Sequence, residues 1–142
     1  MKYASLLIAP MVLLACGTPQ PSTSSEEQPW TYVLATDWPQ LPDSLVLGDP
    51  TGLDLDRAGH LWVFCRGDRA WTDPMPEAPI ATHTVLMLDA ATGQLMASWG
   101  SGLFIMPHGL TVDHHDRLWL TDVGLHQVFC FTPQGKLLLQ LG

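Results

Sequence analysis

The sequence predicts an all-β protein built from repeated four-stranded units, the architecture of a β-propeller. Three observations lead to this prediction: short runs of Val, Leu, Trp and Phe are broken by Gly, Pro and Asp; no long stretch has helical periodicity; and one segment occurs twice. Residues 50–63 align with residues 107–120 without a gap, and six of the fourteen positions are identical. Units of about 40 to 45 residues with four strands each are typical of propeller blades.

The second half of the unit repeats at a different spacing. Residues 85–100 align with residues 127–142, which sets Gly93 on Gly135, a shorter offset than the one that sets Pro50 on Pro107. The two offsets are 57 and 42 residues, and we attribute their difference of 15 to an insertion between Gly67 and Thr84. We take the shorter offset, 42, as the natural period. The sequence therefore predicts a partial propeller over residues 30–142, with blades at about 47–100 and 104–142.

The N-terminus predicts an export signal. Residues 1–15 combine Lys2 with an apolar run from Leu6 to Leu14, which is too short to span a bilayer. With Cys16 directly after it, the segment resembles a bacterial lipoprotein signal, in which cleavage precedes the cysteine and that cysteine is lipidated. An ordinary secretory signal is the alternative. Either signal exports the chain, and the first anchors it by lipid to a membrane of the bacterial cell envelope.

Composition narrows the classes of partner. Residues 16–29 are rich in Pro, Ser, Thr, Gln and Glu without an aliphatic side chain, so we expect a flexible tether there. The chain carries 6 Lys and Arg against 14 Asp and Glu, a formal net charge of -8, and it has no basic run. Nucleic acid is excluded as a partner because phosphate binding needs clustered positive charge. The pattern leaves Cys65 and Cys130 free, paired with each other, or bonded elsewhere.

Two blades alone have an energetic consequence. Closed propellers have roughly four to eight blades, so that each blade buries both of its faces against neighbours. Two blades leave two apolar faces in water. We therefore expect the chain to be either a fragment of a longer gene product or dependent on association.

Three stretches carry a family resemblance, and they occur in order along the chain: residues 64–71, 102–113 and 119–129. Together they resemble the peptidyl-α-hydroxyglycine α-amidating lyase family over about residues 47–142. The resemblance implies a six-bladed propeller of the NHL-repeat type, of which this chain holds about two blades. It also implies cleavage of a peptidyl or N-acyl α-hydroxyglycine to an amide and glyoxylate.

The resemblance also implies site residues. His108 matches one of three histidines that hold a zinc ion in the family, and Arg66 matches the family's active-site arginine. Leu53 and Leu110 match positions whose main-chain carbonyls hold a structural calcium ion. Zinc with an open fourth position can polarise the substrate hydroxyl. An arginine can hold the terminal carboxylate of the substrate, or steady the charge that develops in the reaction, through two parallel hydrogen bonds, which a lysine cannot form.

The chain has no counterpart for the other two zinc histidines or for the family's catalytic tyrosine. We therefore expect the chain alone to be an incomplete, inactive fragment, with no stoichiometric zinc and no release of glyoxylate. The alternative is a non-catalytic NHL propeller, anchored at the envelope, that binds a peptide or a protein partner.

Overall fold

The computed structural model describes residues 30–142, and these residues form eight β-strands and no helix. The strands are β1 (Pro50–Leu55), β2 (His60–Cys65), β3 (Val85–Asp89), β4 (Leu95–Trp99), β5 (Pro107–Val112), β6 (Leu118–Asp122), β7 (Gln127–Phe131) and β8 (Leu137–Leu141). They make two antiparallel sheets in chain order, blade I (β1 to β4) and blade II (β5 to β8). This confirms the predicted fold class, two blades of a propeller.

The N-terminal predictions, the signal over residues 1–15, the lipidated Cys16 and the tether over residues 16–29, lie outside the described residues. Within residues 30–142, no helix has the length and apolar character that a membrane span requires.

The first hairpin of each blade is held by an aspartate and a tryptophan that the repeat shares. The Asp56 carboxylate accepts hydrogen bonds from the indole N–H of Trp62 at 3.1 Å and from N–H groups of its own turn. Asp113 accepts the same set, with the indole N–H of Trp119 at 3.0 Å. A turn aspartate that satisfies several N–H groups fixes the hairpin geometry. The repeated Asp and Trp therefore act as one structural unit.

The strand register corrects one part of the predicted alignment. Trp62 pairs with Met87 and Trp119 pairs with Cys130, so Met87 and Cys130 occupy equivalent positions, one more than the predicted period apart. The outer strands, β4 of blade I and β8 of blade II, keep the predicted spacing of 42 residues. The turn of blade I, closed by the bond from Asp89 N–H to the Gln94 carbonyl, is therefore one residue longer than the corresponding turn of blade II. The insertion between β2 and β3 is correspondingly one residue shorter than the sequence alignment predicts.

The main core lies between the two blades. Residues that are cross-strand partners share a sheet face. One face of blade I packs against one face of blade II, and the Phe104 ring sits between them, 4.8 Å from Phe64 and 5.7 Å from Phe129. The buried members of this core are Trp62, Phe64, Val85, Phe104, Leu118, Leu120, Phe129 and Phe131.

A second core covers the far side of blade I. There Val63, Cys65, Leu86 and Leu88 are buried under three leucines from the segment before β1, Leu41, Leu45 and Leu47. Cys65 lies in this second core, whereas Cys130 lies on the face of blade II that is turned away from blade I. Both thiols are free and buried, and burial raises the pKa of each.

Candidate functional site

The first strands of the two blades, β1 and β5, are their inner strands. His108 lies at the start of β5, in blade II. The register of β5 on β6 shifts between Pro107 and Gly109, so His108 occupies a β-bulge. The same shift occurs in β1 between Pro50 and Gly52, with Thr51 at the bulge. A bulge directs a side chain away from the regular alternation of the strand, and bulges are frequent beside active sites. The imidazole of His108 is exposed.

Arg66 follows β2 of blade I and reaches across to blade II. Its Nε donates a hydrogen bond of 3.0 Å to the carbonyl of Pro107, the residue directly before His108. Its own N–H donates to the Asp49 carbonyl at 3.1 Å, and its guanidinium lies 3.8 Å from an Asp49 carboxylate oxygen. The structure thus brings the two predicted site residues, Arg66 and His108, to adjacent positions from different blades.

The segment between β2 and β3, residues 66–84, contributes an aromatic ring to this site. The guanidinium carbon of Arg66 lies 5.4 Å from the ring centre of Trp71, within the range of a cation–π interaction. Arg69 anchors the same segment, since it donates hydrogen bonds to the carbonyls of Ile105 and Ala78 at 3.3 and 2.8 Å. Sequence reasoning assigned no role to Asp49 or Trp71. The signal for Trp71 was its place shortly after Arg66 in a stretch that already carried the resemblance.

Asp122, which the sequence analysis also left without a role, supports the backbone that leads to His108. Asp122 is 2% exposed, and its carboxylate accepts hydrogen bonds from the N–H groups of Ile105 at 2.8 Å, Met106 at 2.9 Å and Leu125 at 2.9 Å. The carboxylate therefore fixes the two residues that precede Pro107. We expect this support to hold the bulge in place.

The predicted calcium positions lie on the inner strands, where the blades come closest. Leu53 pairs with Val63 in β1, and Leu110 pairs with Leu120 in β5. Gly52 makes the approach possible, because a Cβ built there would lie 2.4 Å from the backbone nitrogen of Leu110. The calcium assignment itself stays a prediction, as do the roles of His108 and Arg66.

Asp54 joins the two inner strands electrostatically. Its carboxylate accepts hydrogen bonds from the N–H of Val112 at 2.8 Å and from the hydroxyl of Thr111 at 3.0 Å. The bond from the Val112 N–H is the main reason that the pKa of Asp54 lies below its usual value. Thr111 is the repeat equivalent of Asp54, so two positions that differ between the repeats have become partners.

The residues present do not complete a zinc site by themselves. Among residues 30–142, no group of three His, Cys, Asp or Glu side chains lies close enough together to hold a metal ion. A catalytic zinc takes three protein ligands and an open position. In the described part of the chain, only His108 is predicted to be one of the three.

Comparison with known proteins first defines the class. The NHL repeat model matches residues 104–131, which run from Phe104 through β7. With the two four-stranded sheets, this makes the chain a protein with NHL-type propeller blades.

The comparison then confirms the resemblance to the amidating lyases. The chain is 41% identical over 115 residues to peptidyl-alpha-hydroxyglycine alpha-amidating lyase 1 of Drosophila melanogaster. The aligned region covers 74% of this chain and 21% of that protein. It is 40% identical over 123 residues to lyase 2 of the same fly, covering 79% of this chain and 30% of the relative. A third relative, peptidyl-glycine alpha-amidating monooxygenase B of Xenopus laevis, is 39% identical over 104 residues, covering 66% and 12%. The chain thus spans less than a third of each of these relatives.

Proposed function

We propose that the two blades form part of a peptidyl-α-hydroxyglycine α-amidating lyase, in which His108 is one zinc ligand and Arg66 binds the substrate. The observation that carries this proposal is the 3.0 Å hydrogen bond from Arg66 of blade I to the carbonyl preceding His108 of blade II. The similarity to the two Drosophila lyases supports it. The substrate class is a peptidyl or N-acyl α-hydroxyglycine.

The surroundings of Arg66 suit a residue that holds the carboxylate of such a substrate. Pro107 and Asp49 fix the orientation of the guanidinium, and Trp71 lies against it. The Arg66 side chain is 13% exposed, so a bound carboxylate would be partly shielded from water. Charge-assisted hydrogen bonds are stronger under such shielding, and the planar guanidinium can form two in parallel.

Residues 30–142 by themselves bring together no group of three ligands for this chemistry. We propose that the remaining zinc ligands come from blades other than the two described, and that Leu53 and Leu110 lend their carbonyls to a calcium ion between the blades. A single chain is then inactive and holds no stoichiometric zinc. We further propose that the protein is exported and anchored by a lipid on Cys16, so that the site works outside the cytoplasm.

A chimera tests the function directly. Residues 47–142 would replace the matching region of the Drosophila lyase 1, and release of glyoxylate from an N-acyl α-hydroxyglycine would be measured. We expect an active chimera. His108→Ala should lower kcat/KM by about 100-fold or more, since metal catalysis supplies several kcal/mol. Arg66→Lys should lower it about 10-fold through loss of the paired hydrogen bonds.

His114→Ala is the matched control, because His114 is an exposed histidine in the turn after β5, and it should leave the rate unchanged. A folded chimera that releases no glyoxylate would contradict the proposal and favour the non-catalytic, peptide-binding propeller. An active chimera whose rate is insensitive to both His108→Ala and Arg66→Lys would contradict the roles proposed for these two residues.

A further inference from the structure

We propose that Trp71 binds the acyl group of the substrate and selects N-acyl α-hydroxyglycines whose acyl group is aromatic or large and apolar. In a peptide substrate, this group is the residue that precedes the hydroxyglycine. The inference rests on the proposed function for the role of Arg66, which holds the substrate carboxylate. It adds a second subsite, whose position follows from the segment between β2 and β3.

This segment is long in blade I but short in blade II. Residues 66–84 connect β2 to β3, whereas residues 123–126 connect β6 to β7. Long connections without secondary structure of their own are usually either disordered or functional, for example as binding loops. The contacts of the segment decide between these two cases.

Hydrogen bonds at both ends tie the segment to the blades. Near its end, Ile80 is 1% exposed, and its N–H donates to the Phe104 carbonyl at 2.8 Å. The Ile80 carbonyl accepts a second bond of 2.8 Å, from the Gly102 N–H. Near its start, Arg69 makes the two hydrogen bonds to backbone carbonyls described above. Residues 70–79 therefore form a loop with fixed ends, which favours a functional role.

Trp71 is a large aromatic side chain that this loop leaves open to solvent. It is 56% exposed, although the Arg66 side chain beside it is only 13% exposed. The indole N–H groups of Trp62, Trp99 and Trp119 each have an acceptor within the fold, whereas that of Trp71 has none among residues 30–142. An exposed ring beside a shielded charge has the composition of a ligand site, in which an aromatic wall and a few polar groups converge.

The guanidinium of Arg66 keeps one end available for a ligand. Its Nε is committed to the Pro107 carbonyl at 3.0 Å. One of its terminal nitrogens lies 3.8 Å from an Asp49 carboxylate oxygen, which is too long for a hydrogen bond. The two terminal nitrogens can therefore form parallel hydrogen bonds with the substrate carboxylate.

A carboxylate in that position brings the acyl group to Trp71. In an N-acyl α-hydroxyglycine, the carboxylate and the acylated nitrogen are bonded to the same carbon, so the acyl carbonyl lies within about 5 Å of the carboxylate. The guanidinium carbon of Arg66 lies 5.4 Å from the ring centre of Trp71. The acyl group is thus within reach of the indole. An aromatic group gains a ring–ring contact there, and an acetyl group gains little.

Binding is tested on the full chain with N-benzoylglycine and N-acetylglycine, two stable analogues that lack the hydroxyl. Nuclear magnetic resonance of isotope-labelled protein follows the indole N–H of Trp71, identified as the signal that Trp71→Phe removes. We expect N-benzoylglycine to shift this signal and to bind about 3- to 10-fold more tightly than N-acetylglycine, the gain from one aromatic pair.

Trp71→Ala should remove this preference by weakening the binding of N-benzoylglycine, and Trp71→Phe should keep most of it. Arg66→Lys should weaken both analogues alike, because they share the carboxylate. Trp30→Ala is the matched control, since Trp30 is 89% exposed and lies in the segment before β1. It should change the binding of neither analogue. If Trp71 only shielded Arg66, Trp71→Ala would weaken both analogues by the same factor, which would overturn the inference.

The chimera extends the test to catalysis. We expect kcat/KM to be about 3- to 10-fold higher for the N-benzoyl than for the N-acetyl α-hydroxyglycine. Trp71→Ala should remove this preference through a higher KM for the benzoyl substrate. Met96→Ala is the control, because Met96 is 49% exposed on the outer strand β4, and it should leave the preference intact.

A Trp71 signal that N-benzoylglycine does not shift, equal binding of the two analogues, or a preference that survives Trp71→Ala would overturn the inference. An active chimera without a preference for the benzoyl group would also overturn it and leave the proposed function standing. Binding of N-benzoylglycine through Trp71, together with a folded chimera that releases no glyoxylate, would instead contradict the proposed function and support the acyl-binding subsite.

Discussion

Asp54 shows how a single carboxylate joins the inner strands of two blades. Its two hydrogen bonds to Thr111 and Val112 cross from blade I to blade II. A second link is parallel to it, because the N–H of Arg57 donates to the Asp116 carboxylate at 3.0 Å. Hydrogen bonds to an ionised group are roughly twice as strong as neutral ones. The two blades are therefore held together at the inner strands by charge as well as by apolar packing.

Replacement of Asp54 should weaken this link in a way that depends on pH. Asp54→Ala should lower the free energy of unfolding at pH 7 by about 1 to 3 kcal/mol, and Asp54→Asn by less, because the amide oxygen can still accept. Since the folded-state pKa of Asp54 is lowered, its stabilisation is complete above the unfolded value of about 4 and is lost as the pH falls further. Urea unfolding at pH 7 and pH 3, followed by tryptophan fluorescence, measures both effects.

The control for this experiment is Asp43→Asn, an exposed aspartate in the segment before β1. It should change stability little at either pH. A difference between wild type and Asp54→Asn that stayed constant from pH 7 to pH 3 would argue against the charged link.

The hydrogen bonds of Asp113 lie within one hairpin, the one formed by β5 and β6. Burial opposes its ionisation, but the hydrogen bonds from Arg117 and Trp119 together outweigh burial, so the pKa of Asp113 lies well below its usual value. Its carboxylate lies 2.7 Å from Arg117. The repeat equivalent, Asp56, has His60 at 2.9 Å in the place of that arginine, and its pKa is also lowered. The sequence repeat predicts the hairpin, while the neighbouring residue decides which side chain completes it.

At the scale of the element, β1 and β5 lie so close together at Gly52 that only a glycine fits there. The close approach of β1 and β5 at Gly52 leaves no space for a methyl group, since the nearest atoms belong to Gly109 and Leu110. Gly52→Ala should therefore push the strands apart and lower the free energy of unfolding by about 1 to 3 kcal/mol, the usual cost of overpacking. Exchange of the Val112 amide, whose bond to Asp54 depends on this approach, should become faster.

Gly59→Ala separates the steric effect from the backbone effect. Gly59 has a φ of +87°, but nothing lies within 4 Å of the position of its Cβ. The variant should cost about 1 kcal/mol through the left-handed conformation alone, and exchange of the Val112 amide should stay as in the wild type. Equal exchange rates in the two variants would show that Gly52 does not set the distance between the strands.

For the molecule as a whole, the shared core makes the two blades one unit of stability. Phe104 is fully buried and lies between rings of both blades. Phe104→Ala should cost about 3 to 5 kcal/mol. A single cooperative transition, measured together by fluorescence and by circular dichroism, should remain. Leu103→Ala, at a neighbour that is 47% exposed, should cost far less. Two separate transitions in the wild type would show that the blades are independent.

Much of this architecture follows from the sequence, and the parts that do not have physical reasons. The repeat at Trp62 and Trp119 located both blades because strand alternation and turn residues leave a strong local pattern. The one-residue difference between the outer hairpins was missed, because aligning Gly93 with Gly135 hides a shift that only strand pairing reveals. The supporting bonds of Asp122 reach back to Ile105 and Met106 on the far side of a hairpin, and no short pattern records such contacts.

The candidate site divides in the same way. His108 and Arg66 were found through the resemblance, and the structure places them next to each other although they belong to different blades. The sequence predicts no role for Asp49 or Trp71, because their contribution depends on how the chain around Arg66 folds back onto that residue. Sequence patterns record residue types and spacing, whereas this site is made by a contact between two blades.

The paired bulges of β1 and β5 have a consequence for how such a protein can change over generations. Bulge positions lie outside the regular ladder, and Thr51 makes one side-chain hydrogen bond, to the Phe64 carbonyl at 3.2 Å. A mutation to histidine at Thr51 would give up that one bond and leave the strand pairing as it is. Duplication of a blade followed by a change of at least two nucleotides therefore exchanges threonine and histidine at this position without a new fold. The side chain at the bulge can therefore change faster than the scaffold that carries it.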